Sequence, residues 1–142
     1  ERLSKYWDVL INGWHKPWNR ELESELSPKQ KRYNKKLAWA EQKQTIGEVG
    51  STFTIQGFDL NYAGVILGPS VKYKDGRIVF DPDSSCNTKA VRKRTLSDGT
   101  KKKFGEELLR HEVRVLMTRG VNGLFIYACD EELRKALLAA VE

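Results

Sequence analysis

The chain has 142 residues, of which 39% are hydrophobic, and a formal net charge of +6. This length fits one domain, residues 1–142, able to bury about two-thirds of its unfolded surface. No apolar stretch approaches the roughly 20 residues that span a bilayer, which argues against a membrane protein. Cys86 and Cys129 stand alone and far from both histidines, so we expect no disulfide, no metal site and a cytoplasmic location.

The first residues, Glu-Arg-Leu-Ser-Lys, include neither an initiator Met nor the apolar core of a signal peptide. We therefore expect a piece of a longer protein, with a partner domain outside these residues.

The N-terminal third predicts a helical lead-in over residues 1–45. Apolar residues in Leu3–Trp14 recur at helical spacing, and Gly13 ends the pattern before a turn over His15–Asn19. Ser27, Pro28 and Gln30 form a helix start with a capping box. That second helix should run to about Glu41, with its apolar residues inward: Tyr33, Leu37 and Ala40.

The middle of the chain predicts strands. Ile46–Phe53 is expected to be a short strand leading to a polar turn, Gln56–Asp59. Ala63–Leu67 is an apolar run stopped by Gly-Pro, typical of a strand buried on both faces of an α/β sheet, where ligand sites lie in the loops at strand ends. The polar turn could therefore face a ligand, or its side chains could only satisfy local backbone groups.

Two contrasting segments follow. Val71–Phe80 alternates around Asp75-Gly76, a hairpin signal, and we expect this hairpin to be an appendage on the core. Asp81–Lys103 has no periodicity and predicts a mobile loop. Within it, Lys89–Lys103 holds seven basic residues and one acid, Asp98. Subtracting these from 25 basic and 19 acidic residues leaves 18 of each, so this segment carries the whole net charge.

The C-terminal third predicts helix, strand and helix. The first helix starts at Phe104, carries a Glu106–Arg110 pair and is broken by Thr118–Gly120. Leu124–Ala128 is the next buried strand, and Asp130 can cap a final helix. Strands that alternate with helices predict a parallel α/β sheet.

Three sets of residues carry candidate chemistry. Arg119 ends a helix beside Gly120, and on pattern alone we expect a surface residue without a role. The basic segment is either a solvated loop or a grip on nucleic-acid phosphates. Aromatic residues are absent from it, so base stacking is not expected there. Trp14, Trp18 and Trp39 are expected to anchor a core or a domain interface.

Two stretches resemble helicase motifs. Thr-x-Gln-Gly-Phe-Asp, ending at Asp59, and Tyr62-Ala-Gly-Val-Ile-Leu-Gly-Pro69 resemble motif V of superfamily 1 helicases, in the form used by a bacterial group related to the Schlafen helicase-like domain. Leu108-Leu-Arg-His-Glu-Val-Arg-Val-Leu-Met-Thr-Arg-Gly120 is similar to motif VI of that group. With weaker similarity at Lys16–Asn19 and Trp39-Ala40, the resemblance covers most of the chain.

The resemblance implies the second RecA-like domain of a helicase-like ATPase: a parallel sheet flanked by helices, with an added β-hairpin and a basic loop. Residues 46–142 would be the core from motif V to motif VI. The first, ATP-binding domain would precede it, because the chain lacks the Gly-x-x-x-x-Gly-Lys-Ser/Thr loop and an obvious acidic pair for Mg²⁺.

The same resemblance implies roles for individual residues. Arg119 would reach the γ-phosphate of ATP, with nearby support from Arg114. Gln56, Gly57 and Asp59 would lie beside the nucleotide, although many relatives carry Glu where this chain has Asp59. Nucleic acid, DNA or RNA, would contact two threonines and the basic segment: Thr52, Thr54, Arg92, Lys93, Arg94, Lys101, Lys102 and Lys103.

The function so implied is half of an ATP-dependent helicase or translocase that uses ATP and Mg²⁺ together with its N-terminal RecA-like domain and is inactive alone. The alternative is a non-catalytic, regulatory module that binds nucleic acid through the basic segment.

Overall fold

The computed structural model describes residues 9–19, 21–87 and 91–141. Backbone contacts divide the chain into two compact units, Glu1–Leu60 and Asn61–Glu142. Across the described residues there are four α-helices and eight short strands, arranged as four two-stranded sheets. The protein is therefore mixed α/β, as predicted. None of the helices in these ranges is both long and apolar enough to cross a membrane.

The first unit opens with a β-hairpin in place of the predicted helix. Strand β1 (Val9–Ile11) pairs antiparallel with β2 (Trp14–Lys16). Asn12 and Gly13 form the two-residue turn, with φ of +47° and +82°. Asn-Gly favours this turn because both residues tolerate positive φ, and the turn outweighs the helical spacing of the apolar residues. The rest of the predicted helix, residues 1–8, lies outside the described residues.

Helix α1 (Pro28–Asn34) begins as predicted. Gln30 N donates to Ser27 Oγ at 3.3 Å, and Ser27 N donates to Gln30 Oε1 at 3.0 Å, which completes the capping box. The helix is shorter than expected, because the Glu41 carboxylate accepts from Ala38 N at 2.7 Å and starts a separate 3₁₀ turn. Tyr33, expected to be inward, is 67% exposed.

The predicted strand over Ile46–Phe53 is wrong. The chain forms a 3₁₀ helix at Lys43–Gly47, one isolated parallel bridge between Val49 and Trp18, and a single helical turn, α2 (Thr52–Ile55). Buried Glu48 directs this path, because its carboxylate accepts from the Trp39 indole at 2.8 Å and from Leu22 N at 3.2 Å. These bonds come from distant residues, so local alternation could not reveal them.

The second unit is built on a parallel strand pair. Strand β3 (Leu60–Leu67) pairs with the last strand, β8 (Gly120–Ala128), and Cys129 N donates to Leu67 O at 2.9 Å. Ala63, Val65 and Leu67 are buried, while the residues between them are less so: Gly64 is exposed and Ile66 is half-buried. The prediction of burial on both faces is therefore wrong for β3.

One hydrophobic cluster forms the core of this unit. Hairpin strands β4 (Val71–Lys74) and β5 (Arg77–Phe80) pack on it together with helices α3 (Gly105–Met117) and α4 (Glu131–Ala139). The hairpin is thus part of the core, not an appendage, because Val71 is only 3% exposed. The buried members of the cluster are Val65, Leu67, Val71, Ala128 and Leu133.

The hairpin turn, the ion pair and the helix cap that the sequence predicted in this unit are confirmed. Asp75 and Gly76 form the β4–β5 turn with φ of +50° and +75°. Glu106 and Arg110 form the expected ion pair at 3.1 Å. Asp130 caps α4 by accepting from Leu133 N at 2.9 Å, and it also accepts from Tyr73 N at 3.1 Å, which joins the helix to the hairpin.

The predicted mobile loop over Asp81–Lys103 contains regular structure. A 3₁₀ turn spans Pro82–Ser84, and strands β6 (Lys93–Thr95) and β7 (Lys101–Lys103) form an antiparallel hairpin. Its turn is closed by Leu96 N donating to Thr100 O at 2.8 Å. The prediction failed because both strands are polar on every side chain and therefore lack hydrophobic alternation. Lys89 lies outside the described residues.

The bonds of Asp81 make this unit less stable at acid pH. Lys72 Nζ lies 2.6 Å from its carboxylate and Ser84 Oγ donates to it at 2.7 Å, and these bonds lower the pKa of Asp81 from 3.8 to about 2. Because the folded pKa is depressed, the stabilisation is complete above pH 3.8 and is lost as the pH falls through about 2.

We therefore expect Asp81→Asn to lower stability at neutral pH and to flatten the dependence of the unfolding midpoint on pH between about 4 and 2. Urea unfolding of both proteins across this range measures the effect. Asp130, whose pKa is also lowered, chiefly by its bond from Leu133 N, remains in both proteins and cancels in the comparison. An equal pH slope in the two proteins would contradict the assignment.

Candidate nucleotide and nucleic-acid sites

The β6–β7 hairpin places like charges directly opposite one another. Its register pairs Lys93 with Lys103, Arg94 with Lys102 and Thr95 with Lys101. Paired residues of an antiparallel ladder point to the same face, about 5 Å apart. Three lysines therefore share one face of the hairpin, and an arginine and a lysine share the other. All of these side chains are exposed, as is Arg92 just before the hairpin.

Neighbouring groups offset this repulsion only weakly. Lys103 Nζ lies 3.8 Å from Asp83, and the two side chains are 60% and 88% exposed, so water screens the pair. Asp98 accepts from Thr100 N at 2.9 Å and serves the turn. Lys102 Nζ lies 5.2 Å from the centre of the Phe104 ring. Like charges held opposite each other destabilise a sheet, and a bound polyanion would reverse that effect.

Arg119 lies at the junction of α3 and β8. Its Nε donates to Val115 O at 3.2 Å and its Nη2 to Thr118 Oγ1 at 3.4 Å, so the guanidinium lies against the C-terminal turn of the helix. A cation is favoured there because the last carbonyls carry partial negative charge. The side chain is half-buried. Arg114, on α3 and five residues before Arg119, is exposed.

Gly120 allows a close approach between two parts of the backbone directly after Arg119. A Cβ added at Gly120 would lie 2.3 Å from Gly123 O, which no side chain can accept without moving the backbone. The close approach of Gly123 O to Gly120 therefore fixes where the Arg119 side chain lies, at the start of β8.

The candidate residues before β3 form a compact turn in the first unit. Thr54 is buried, and its hydroxyl accepts from Ser51 N at 2.7 Å and donates to Ser51 O at 2.8 Å, so it serves the local backbone. Thr52 is half-buried, whereas Gln56 and Asp59 are exposed. Gln56 directly follows α2, and Asp59 directly precedes β3.

Gly57 holds this turn at φ +93°, a conformation that other residues reach only with strain. We expect Gly57→Ala to cost about 1–2 kcal/mol of unfolding free energy, because a Cβ disfavours positive φ by that amount. Nothing lies within 4 Å of the added Cβ, so steric contact would not add to the cost. Gly64→Ala, in an equally open position without positive φ, is the matched control in thermal or urea unfolding. Equal stability of the two variants would contradict the assignment.

The candidate residues belong to the two units separately. The turn with Thr52, Thr54, Gln56, Gly57 and Asp59 lies in the first unit. The second unit holds Arg114, Arg119 and the basic hairpin, and it brings Lys93, Arg94 and the three lysines of β7 together. Sequence reasoning found the basic cluster but missed its pairing. The signal that could have shown it is Asp98-Gly99, a hairpin turn dipeptide between two basic runs.

Comparison with known proteins decides the family. The model of the Schlafen group 3 DNA/RNA helicase domain matches residues 1–130. The chain belongs to the Schlafen group 3 helicase-domain family. This confirms the predicted relation to Schlafen helicase-like proteins and makes the chain helicase-related. The bacterial grouping and the motif V and motif VI assignments stay predictions.

A relative among curated proteins is similar to this chain over most of its length. The uncharacterized protein YPL245W of Saccharomyces cerevisiae is 40% identical over 131 residues, which cover 85% of this chain and 25% of the yeast protein. The chain therefore spans about a quarter of the length of this relative. No solved structure matches the chain.

Proposed function

We propose that this member of the Schlafen group 3 helicase-domain family is the second RecA-like half of an ATP-dependent DNA or RNA helicase or translocase. The observation that carries the proposal is the β6–β7 hairpin, which holds five exposed basic side chains in cross-strand register. Such an arrangement gains binding energy by releasing counterions from a phosphate backbone, and it does so for any base sequence. The parallel β3–β8 pair beside two helices is compatible with a RecA-like sheet.

Arg119 is proposed as the group that contacts the γ-phosphate of ATP. Arginine suits this role because its planar guanidinium stays charged and binds phosphate oxygens in a forked geometry. In the structure the guanidinium donates to Val115 O at the end of α3 and to the Thr118 hydroxyl, and hydrogen bonds of this kind are weak enough to be exchanged for phosphate. Arg114 is proposed to support it from α3, the helix that precedes Arg119.

The turn before β3 is proposed to contact the nucleotide through Gln56, the Gly57 backbone and Asp59. An amide, a peptide group and a carboxylate can donate to and accept from base and ribose, and the two side chains are exposed. Thr52 and Thr54 are proposed to act near the nucleic-acid backbone, Thr54 by holding the turn in shape. Closure of the two halves of the motor would complete the site, as in other lid-gated enzymes.

The described residues fit only part of an ATP site. Arg119 suits phosphate, but these residues include no group of three or more His, Cys, Asp or Glu able to hold a metal ion. Mg²⁺ is therefore proposed to bind on the N-terminal RecA-like domain. ATP bound there would supply the phosphoanhydride bond whose cleavage drives movement, and Mg²⁺ would neutralise charge on its phosphates. This chain contributes positive charge and nucleic-acid contacts.

We expect the full-length protein to hydrolyse ATP in the presence of DNA or RNA, and the isolated chain to show no turnover above buffer. The reason is that the sequence has no phosphate loop and that residues 9–19, 21–87 and 91–141 hold no metal-binding cluster, whereas phosphoryl transfer depends on both. A phosphate-release assay on both proteins, with single- and double-stranded DNA and RNA, measures this. Turnover by the isolated chain, or its absence from the full-length protein with every nucleic acid, would contradict the proposal.

A second function, a non-catalytic module that binds nucleic acid, is favoured by the same hairpin because counterion release needs no ATP. It predicts an affinity that depends strongly on salt, is unchanged by Arg119→Ala and is unaffected by ATP.

A further inference from the structure

The turn of the β6–β7 hairpin presents a serine to solvent. Leu96 N donates to Thr100 O at 2.8 Å and Gly99 N donates to Leu96 O at 3.0 Å, while Gly99 takes a positive φ of +80°. These bonds leave Ser97 at the tip of the turn. Its side chain is exposed, as is every residue from Arg92 to Lys103. An enzyme can therefore reach the Ser97 hydroxyl.

The three hydroxyl side chains of the hairpin differ in their surroundings. Thr100 Oγ1 donates to Asp98 at 2.7 Å, and the backbone N of the same threonine donates to this carboxylate at 2.9 Å. Thr95 lies in the ladder opposite Lys101. Ser97 belongs neither to the ladder nor to the Asp98–Thr100 bonds. It is therefore the hydroxyl whose modification disturbs the pairing of the two strands least.

Two arginines precede Ser97 at a fixed spacing. Arg94 stands three residues before it and Arg92 five residues before it, in the run Arg-Lys-Arg-Thr-Leu-Ser. Residues two apart on an extended chain point to the same side, so both guanidinium groups can enter one acidic groove. Arginine suits such a groove because its planar fork binds carboxylates through paired hydrogen bonds. Protein kinases select substrates by charge patterns of this kind.

The hairpin can open and let an enzyme take this run in extended form. Among the described strands, β6 and β7 pair only with each other, and the core cluster found in the described part of the second unit takes no member from them. A two-stranded hairpin alone is marginally stable, and like charges opposite each other weaken this one further. Local opening therefore costs little free energy while the rest of the unit stays folded.

We propose that Ser97 is a phosphorylation site for an arginine-directed protein kinase, and that its phosphate weakens nucleic-acid binding by the β6–β7 hairpin. In the modification, Ser97 Oγ attacks the γ-phosphorus of ATP bound to the kinase, and the bond from that phosphorus to the ADP oxygen breaks. The hydroxyl proton passes to a base of the kinase, so the products are phosphoserine and ADP. The second half of the proposal rests on the proposed function, in which the hairpin binds a phosphate backbone.

The added charge acts on the basic residues around the turn. Phosphoserine carries about −1.5 to −2 at pH 7. Residues 92–103 contain six basic side chains and one acid, Asp98. A three-residue strand is about 10 Å long, so these cations lie within one or two Debye lengths of the phosphate. The phosphate can accept hydrogen bonds from one or two of them and so replaces contacts that a nucleic-acid phosphate would make. Phosphorylation therefore lowers both the affinity and the number of counterions released on binding.

Reaction of the full-length protein with ATP and a purified arginine-directed serine/threonine kinase tests the site. We expect phosphate on Ser97, located by mass spectrometry of fragments, and a rate that falls by about 10-fold or more in Arg94→Ala. Lys102→Ala is the matched control and should change the rate little, because Lys102 faces Arg94 across the ladder and lies outside the run recognised by the kinase. Equal rates for the two variants, or phosphate on Thr95 instead of Ser97, would overturn the assignment.

Protein purified from its own cells in the presence of phosphatase inhibitors gives a second readout. A fraction of the molecules should carry phosphate on Ser97. If the peptide that spans residues 92–103 carries none in either growing or starved cells, the site is not used and the proposal is overturned.

Fluorescence anisotropy across a salt series tests the effect on binding. The phosphorylated protein should bind DNA or RNA about 10-fold more weakly than the same sample after phosphatase treatment, and the slope of log Kd against log salt should fall by about 1 to 2. Ser97→Ala taken through the kinase reaction should bind like the unmodified protein. Equal affinity and equal slope before and after phosphatase treatment would overturn the regulatory half of the proposal.

Failure of the proposed function has a different signature. If the dephosphorylated protein binds neither DNA nor RNA, the nucleic-acid function is wrong, whereas phosphate on Ser97 and its dependence on Arg94 still establish the modification site. If the dephosphorylated protein binds in a salt-dependent way and the phosphorylated protein binds equally well, only the regulation is wrong.

Discussion

Arg119→Ala should lower the ATP turnover of the full-length protein by about 1,000-fold or more, the scale of removing an arginine that stabilises phosphoryl transfer. The loss should fall on kcat, because the proposed contact to the γ-phosphate would strengthen as the bond breaks, while KM for ATP should change less. Stability should change little. The side chain is half-buried, and its hydrogen bonds to Val115 O and Thr118 Oγ1 at the end of α3 are each worth about 1 kcal/mol. Steady-state kinetics and a thermal melt measure both quantities.

Arg110→Ala is the matched control for this variant. Arg110 is an arginine on the same helix, paired with Glu106 across exposed side chains, so its removal changes net charge equally without touching the junction of α3 and β8. It should keep turnover within a few-fold of wild type. Normal turnover by Arg119→Ala would refute the catalytic assignment, and so would an equal loss in both variants.

Replacing Lys101, Lys102 and Lys103 together by glutamine should weaken binding of DNA or RNA and reduce its dependence on salt. If each lysine neutralises one phosphate, the slope of log Kd against log salt should fall by about 3 for duplex and about 2 for single strands. The effect should be similar for all base sequences, because phosphate contacts carry no sequence information. Fluorescence anisotropy across a salt series measures it. The fold should persist or gain stability, since the variant removes repulsion across the β6–β7 ladder.

A control variant that removes three lysines outside the hairpin shows whether nucleic acid contacts the β6–β7 hairpin itself or is attracted by the net charge of the protein. Lys29, Lys35 and Lys36, on and just after α1, are exposed lysines in the first unit. Their joint replacement by glutamine also removes three charges and should leave the salt slope nearly unchanged. Equal weakening by the two triple variants would show that net charge, not the hairpin, attracts nucleic acid.

Short-range chemistry explains the parts of the fold that the sequence predicts. The Ser27–Gln30 capping box, the Asp75-Gly76 turn and the Asp130 cap each depend on residues no more than three apart, and each appears in the structure. The amphipathic pattern of α3 is also local, since its apolar stripe repeats within one helix. The Asn12-Gly13 turn carried an equally local signal, which the helical spacing around it concealed.

The parts that were missed depend on distant partners or on charge. The region from Ile46 to Phe53 takes its path from Glu48, whose carboxylate is bound by groups 9 and 26 residues away. The basic hairpin has no apolar alternation to reveal it. For the candidate site, composition locates the basic cluster. The pairing of its two strands and the hydrogen bonds of Arg119 can be seen only in the three-dimensional structure. The roles of Gln56, Gly57, Asp59 and Arg114 come from family resemblance and stay predictions.

All four tryptophans of the protein, Trp7, Trp14, Trp18 and Trp39, precede residue 40, and the second unit has only tyrosine and phenylalanine. The emission of indole therefore reports on the first unit alone. The ring nitrogen of Trp39 is bonded to buried Glu48, so the environment of this indole changes when that unit opens. Comparing this emission with circular dichroism at helical wavelengths, which the longer helices of the second unit dominate, separates two melting events. Coincident curves would show that the halves unfold as one cooperative body, and displaced curves would give each half its own stability.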